Sequence, residues 1–113
     1  MKIFLIGFMG SGKTTAGKKL ANRLSYHYFD LDEFIEQKEQ ESIRNIFEKK
    51  GESYFREQER KYLREISKYE DCVISTGGGA PCFFDNMDYM NNSGITVYLK
   101  MKPEQLATRL KNG

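Results

Sequence analysis

Two hydrophobic periods alternate along this chain. Lys2-Ile3-Phe4-Leu5-Ile6 is a short apolar run suited to a strand buried on both faces. Residues 14–24 then place Ala16, Leu20, Ala21 and Leu24 at helical spacing. Residues 26–30, Tyr-His-Tyr-Phe-Asp, predict a second short strand, and 31–40 a helix with Leu31, Phe34 and Ile35 on one side. Asp30 and Glu33 have the spacing of an N-cap and its reciprocal partner. Ser42 starts a further turn or two with Ile43, Ile46 and Phe47 inward, and Gly51 stops it. Phe55, Glu59, Tyr62, Leu63 and Ile66 mark one face of a longer helix over 52–69. Cys72–Ser75 predicts a third strand, residues 83–91 a helix, and Ile95–Leu99 a fourth strand; Pro103 opens a last helix at its favoured first position.

Strands alternating with helices predict an α/β domain with a central, mainly parallel sheet between helical layers, joined by right-handed crossovers. Ligands of such sheets sit beyond the carboxyl ends of the strands. Three places qualify: residues 7–14, the Asp30/Asp32 pair and the turn at Thr76–Gly79. All three should line one crevice.

The 113 residues allow one domain with one core. Charged residues make up 30% and the net charge is +2, but basic and acidic residues intermingle, which argues against a nucleic-acid groove and for small partners. The longest apolar stretch is far too short to span a membrane, and the chain starts directly into its first strand without a targeting pattern. Cys72 and Cys82 fit neither a metal spacing nor a disulfide framework, so free thiols in a reducing cytoplasm are expected.

The most specific chemistry lies at Gly7-Phe8-Met9-Gly10-Ser11-Gly12-Lys13-Thr14, a complete G-x-x-x-x-G-K-[ST] phosphate-binding loop between a strand and a helix. Its glycines let the backbone wrap a phosphate, and the helix N-terminus faces the anion. Lys13 brings a mobile charge to the β- and γ-phosphates, and the Thr14 hydroxyl can ligate Mg²⁺. Gly10, Ser11, Gly12, Lys13, Thr14 and Thr15 are thus the candidate ATP-binding segment. A carboxylate for the Mg²⁺ shell comes from neither the third nor the fourth strand, only from the second, through Asp30 and then Asp32. Capping alone would account for Asp30 but not for Asp32.

Gly77-Gly78-Gly79 costs unusual backbone entropy for a plain turn, which points to a close approach of a ligand to the main chain. Arg56 lies beside the buried stripe of its helix, where Glu59 can hold its guanidinium. Its planar fork suits a carboxylate ligand, although a plain surface ion pair would use the same spacing.

Taken in order, the 7–14 loop, Phe29-Asp30-Leu31-Asp32, Ser42-Ile43 leading to Ile46-Phe47, Gly51-Glu52 followed by Phe55-Arg56 and Glu59, and Thr76-Gly77-Gly78-Gly79-Ala80 resemble the shikimate kinase family over residues 1–109. The resemblance implies a three-layer P-loop kinase fold with an acceptor-binding helical insert over about 31–69. It implies transfer of the ATP γ-phosphate to the 3-hydroxyl of shikimate, in aromatic amino-acid biosynthesis. Thr14 would ligate Mg²⁺ and Asp30 reach it through water; Lys13 and Asp32 would be catalytic. Asp32 would also hold shikimate hydroxyls, Arg56 its carboxylate and Gly77, Gly78 and Gly79 its ring, while Arg109 would stack on adenine. A monomer using ATP and shikimate, without nucleic acid or membrane, is the expectation. Family members run well beyond this length, so a lid arginine, a second carboxylate-binding arginine and a fifth strand are expected beyond residue 113, leaving the fourth strand as an edge. Gluconate and nucleoside-monophosphate kinases share the loop but not the Phe-Arg and triple-glycine pair. A non-catalytic nucleotide-binding module is the alternative from another class, marked by ATP binding without acceptor-dependent ADP release.

Overall fold

The computed structural model describes residues 1–7, 13–77 and 79–99. In chain order these form β1 (Lys2–Gly7), α1 (Lys13–Leu24), β2 (His27–Asp30), α2 (Leu31–Glu39), α3 (Ile43–Ile66), β3 (Cys72–Ser75), a 3₁₀ turn (Ala80–Cys82), α4 (Asn86–Ser93) and β4 (Ile95–Leu99). The four strands form one sheet in the order β2-β3-β1-β4, and each pairing is parallel. Registers Phe4↔Ile74, Phe29↔Ile74 and Leu5↔Val97 bring Gly7, Asp30, Ser75 and Leu99 to the same end of the sheet.

Alternation along β1 separates the two sides. Phe4 and Ile6 join Leu31, Ile35, Ile46, Phe55, Leu63 and Ile66 in the larger core under α2, α3 and α4. Ile3 and Leu5 face the other way and pack with Val73 and Ala21 beneath α1. Helices therefore cover both faces of the sheet, as expected for parallel strands. The predicted stripe of α3 is realised: Phe55, Glu59, Tyr62, Leu63 and Ile66 are all buried.

Ser42 caps α3 by accepting from the Asn45 amide, and Gly51 interrupts it at φ 88°, ψ 169°, separating the two helical stretches expected around that glycine. Four details differ from the sequence reading. Helix α2 ends at Glu39 because Gln40 turns left-handed (φ 56°) and caps it. Helix α3 ends at Ile66 rather than at 69, and Tyr69 stacks on Phe29 at 5.0 Å instead. Leu24 is exposed, whereas Gly17 and Ala21 are buried. A Cβ on Gly17 would lie 2.5 Å from the Tyr28 ring, so α1 approaches the sheet through its smallest residues. The helix expected over 83–91 starts only at Asn86, since Phe83 is extended and Phe84 has φ 53°.

Among the described residues, strand β4 lies at the sheet edge, with Ile95 and Val97 substantially exposed. The expected helix from Pro103 lies outside the described residues. Among the described residues, no helix is long and apolar enough to cross a membrane.

Candidate active site

The carboxyl end of the sheet gathers the polar residues singled out above. Gly7 closes β1 at φ 148°, where a Cβ would sit 2.4 Å from the Leu99 carbonyl oxygen; only glycine fits this exit. Gly10, Ser11 and Gly12 lie outside the described residues, as do Gly78 and Arg109. Lys13 opens α1, and its ammonium donates to the Gly7 carbonyl at 2.6 Å, folding back toward the end of β1. Burial lowers the Lys13 pKa, opposed by the charges of Asp32 and Asp30. Thr14 and Thr15 follow on the exposed side of the helix start.

Asp30 serves two purposes at once. Its Oδ1 accepts from the Glu33 amide at 3.1 Å and caps α2, while Oδ2 accepts from the Thr14 hydroxyl at 3.5 Å. Among the described residues there is no cluster of three or more His, Cys, Asp or Glu side chains suited to a metal. Two hard oxygens from Thr14 and Asp30 nevertheless fit Mg²⁺, which typically takes one or two protein oxygens and completes its shell with water and phosphate.

Asp32, the second residue of α2, reaches the glycine turn after β3. Its Oδ1 is buried without a hydrogen-bond partner among the described residues. A Cβ on Gly77 would come within 3.0 Å of that oxygen. Burial raises the Asp32 pKa, reinforced by the Asp30 charge and opposed by Lys13 and Arg56. A carboxylate held this way is a better proton acceptor than a solvated one.

Arg56 faces the same space from α3. Its Nη1 donates to Glu59 Oε1 at 3.0 Å, and Glu59 itself is 1% exposed. The pair is therefore not the plain surface ion pair that its spacing alone would permit. Burial raises the Glu59 pKa against the pull of Arg56. Arg56 Nε stands 3.8 Å from Glu52, within ion-pair range, but makes no hydrogen bond. A Cβ on Gly79 would meet Arg56 Nη2 at 2.8 Å. The close approach at the glycine turn is thus made by Asp32 and Arg56 themselves, and neither Gly77 nor Gly79 has positive φ.

Several supporting residues escaped the sequence reading. The Tyr28 hydroxyl donates to Ser75, whose own hydroxyl donates to the Lys13 carbonyl, tying the start of α1 to β3. Thr76 donates to the Leu5 carbonyl through both its amide and its hydroxyl, fixing the start of the glycine turn on β1. Phe83 lies against Arg56, and buried Asn86 donates to the Ala80 carbonyl. No local pattern announces these partners, because each lies on a different element from the group it holds.

A parallel sheet with a phosphate-binding loop motif following its first strand, and an aspartate at the end of β2, which β3 separates from that strand, defines a P-loop α/β domain of the small-molecule kinase type. The shikimate kinase family model matches residues 9–113. The chain is 54% identical over 110 residues to shikimate kinase from Parabacteroides distasonis, covering 97% of this chain and 64% of that protein. Its structure is similar to a crystal structure of shikimate kinase from Bacteroides thetaiotaomicron, with TM-score 0.89 and 49% identity over 98% of this chain and 66% of that one. It is also similar to shikimate kinase from Acinetobacter baumannii in complex with shikimate, with TM-score 0.84 and 43% identity over 87% and 55% of the two chains. The chain belongs to the shikimate kinase family. It spans a little under two thirds of the length of the Parabacteroides relative.

Proposed function

We propose that the protein transfers the γ-phosphoryl group of ATP to the 3-hydroxyl of shikimate, giving shikimate 3-phosphate and ADP in the cytoplasm. Family membership supports this reading. The observation that carries it is that two side chains with buried polar atoms lacking hydrogen-bond partners, Asp32 (Oδ1) and Arg56 (Nε), converge on the glycine turn, Asp32 at Gly77 and the Arg56 guanidinium at Gly79. An acceptor that satisfies both needs a hydroxyl at one end and a carboxylate at the other, and shikimate has both. Segment 31–69, which carries both residues, is the acceptor-binding insert in this reading.

Phosphoryl transfer passes through a loose transition state, so positioning and charge neutralisation outweigh a strong base. Arg56, steadied by Glu59, takes the acceptor carboxylate, and the Gly77–Gly79 main chain lies along the ring. Asp32 orients the 3-hydroxyl and accepts its proton as the oxygen bonds to the γ-phosphorus and ADP leaves. Lys13 offsets charge on the phosphates, joined by the amides of residues 10–15. Mg²⁺ on Thr14, with Asp30 reached through water, would supply further charge neutralisation. Arg109 on adenine and a monomeric state belong to the same proposal.

The test is acceptor-dependent ADP release across shikimate, gluconate and nucleoside monophosphates, in the native protein and in Arg56→Lys. Shikimate should be the best acceptor, and Arg56→Lys should raise its KM about tenfold, because an ammonium cannot make the bidentate contact. Unchanged shikimate kinetics in Arg56→Lys, with another acceptor preferred, would refute the assignment. Tight ATP binding with no acceptor-dependent release would favour a nucleotide-binding module.

A further inference from the structure

The proposed reaction assigns no part to Phe83 or Asn86, yet Phe83 lies against Arg56 and Asn86 holds the loop that carries Phe83. The guanidinium carbon lies 4.1 Å from the centre of the Phe83 ring, nearer than the 5.2 Å to Phe55. Glu59 holds the same group through Nη1 at 3.0 Å, and the Arg56 side chain is only 16% exposed. An aromatic face attracts a cation through its quadrupole, more strongly when water is excluded.

Helical structure does not put Phe83 there. It follows the 3₁₀ turn in extended conformation, φ −114° and ψ 139°. Phe84 then takes φ 53°, a costly conformation for a bulky residue that a surrounding structure must enforce. Asn86 supplies much of that constraint. It is fully buried, and its Nδ2 donates to the Ala80 carbonyl at 3.0 Å while its Oδ1 accepts from Arg64 at 3.3 Å. Its amide also donates to the Phe83 carbonyl at 3.3 Å. These bonds close the 80–86 loop and aim the Phe83 ring at the guanidinium.

We propose that Phe83, clamped by Asn86, is a positioning residue that holds the Arg56 guanidinium ready for the acceptor's carboxylate, and so sets the preference for an anionic over a neutral acceptor. This rests on the acceptor reading given under Proposed function. Leucine at 83 would keep apolar bulk and lose the ring face, whereas tyrosine keeps it; the site is half-buried, so both should fold.

The experiment measures affinity and KM for shikimate, for its neutral methyl ester and for ATP in the native protein, Phe83→Leu, Phe83→Tyr and Arg56→Lys. Phe83→Leu should weaken shikimate roughly three- to tenfold, the span of a partly desolvated cation–aromatic contact. It should reduce the preference for shikimate over the ester and leave the ATP KM in place, and Phe83→Tyr should restore the native preference. Equal weakening of shikimate and ester in Phe83→Leu would mean simple packing and overturn the proposal. So would unchanged shikimate affinity in Phe83→Leu beside a clear loss in Arg56→Lys. If Arg56→Lys also leaves shikimate binding intact, the acceptor reading itself fails.

Discussion

Gly79→Ala isolates the geometry of the acceptor site better than removal of a charged group does. Gly79 sits at φ −95°, ψ −9°, a conformation open to any residue, so an added methyl brings no backbone strain. That methyl would lie 2.8 Å from Arg56 Nη2, 3.0 Å from Nη1 and 3.2 Å from Cζ. Nonbonded heavy atoms attract only near 3.5–4.0 Å, so the guanidinium must retreat by about half an ångström or more. Retreat is opposed by the Glu59 bond at 3.0 Å and by the Phe83 ring at 4.1 Å. A misplacement of about 1 Å can cost a factor near 10² in a positioned site, so half that shift should weaken shikimate binding about tenfold, or ~1.4 kcal/mol. Global stability should fall by about 1 kcal/mol, the low end of an overpacking cost. Calorimetric titration with shikimate and separately with ATP, alongside thermal unfolding, reads both effects. Shikimate affinity within about twofold of native in a folded Gly79→Ala protein would show that the guanidinium moves freely and that the site is not built on this clearance.

Three further substitutions test the rest of the site and the packing of α1 on the sheet. Lys13→Ala should remove most ATP affinity while the domain stays folded; unchanged affinity in calorimetry would sink the phosphate-cradle reading. Asp32→Asn should abolish phosphoryl transfer yet raise the Tm at neutral pH. Burial, then the Asp30 charge, raises the folded-state pKa of Asp32, so its contribution to stability is greatest below the ordinary carboxylate range and is lost as pH rises through that raised value. A lower Tm for Asp32→Asn at neutral pH would contradict that sign. Gly17→Ala should cost about 1–3 kcal/mol in denaturant unfolding, despite alanine's better helix propensity, because its Cβ would lie 2.5 Å from Tyr28 Cε1 and 3.0 Å from Ser75 Oγ. Greater stability would mean that α1 lies less tightly on the sheet than the contact indicates.

Much of this protein was legible in local patterns. Four short apolar runs became four parallel strands, and the stripe from Phe55 to Ile66 became the buried face of α3. The phosphate-loop motif and the Asp30–Glu33 cap depend on residues a few positions apart, so their physics is visible in sequence. The same holds for Arg56 and Glu59, one helical turn apart. Pattern failed where a neighbour from another element decides. Leu24 fits the helical spacing of α1 but is exposed, because close approach to Tyr28 and Ser75 favours Gly17 and Ala21 at the interface. Phe83 lies in what looks like a helix, but the clamp of Asn86 on Ala80 and the stacking on Arg56 hold it extended. The glycine turn shows the division most clearly. Its composition announced a close approach, but only the packing of β3 against α2 and α3 shows what approaches: the Asp32 carboxylate at Gly77 and the Arg56 guanidinium at Gly79. Local sequence sets which backbone shapes are affordable, whereas the partner of a buried charge is settled by which elements the sheet brings side by side.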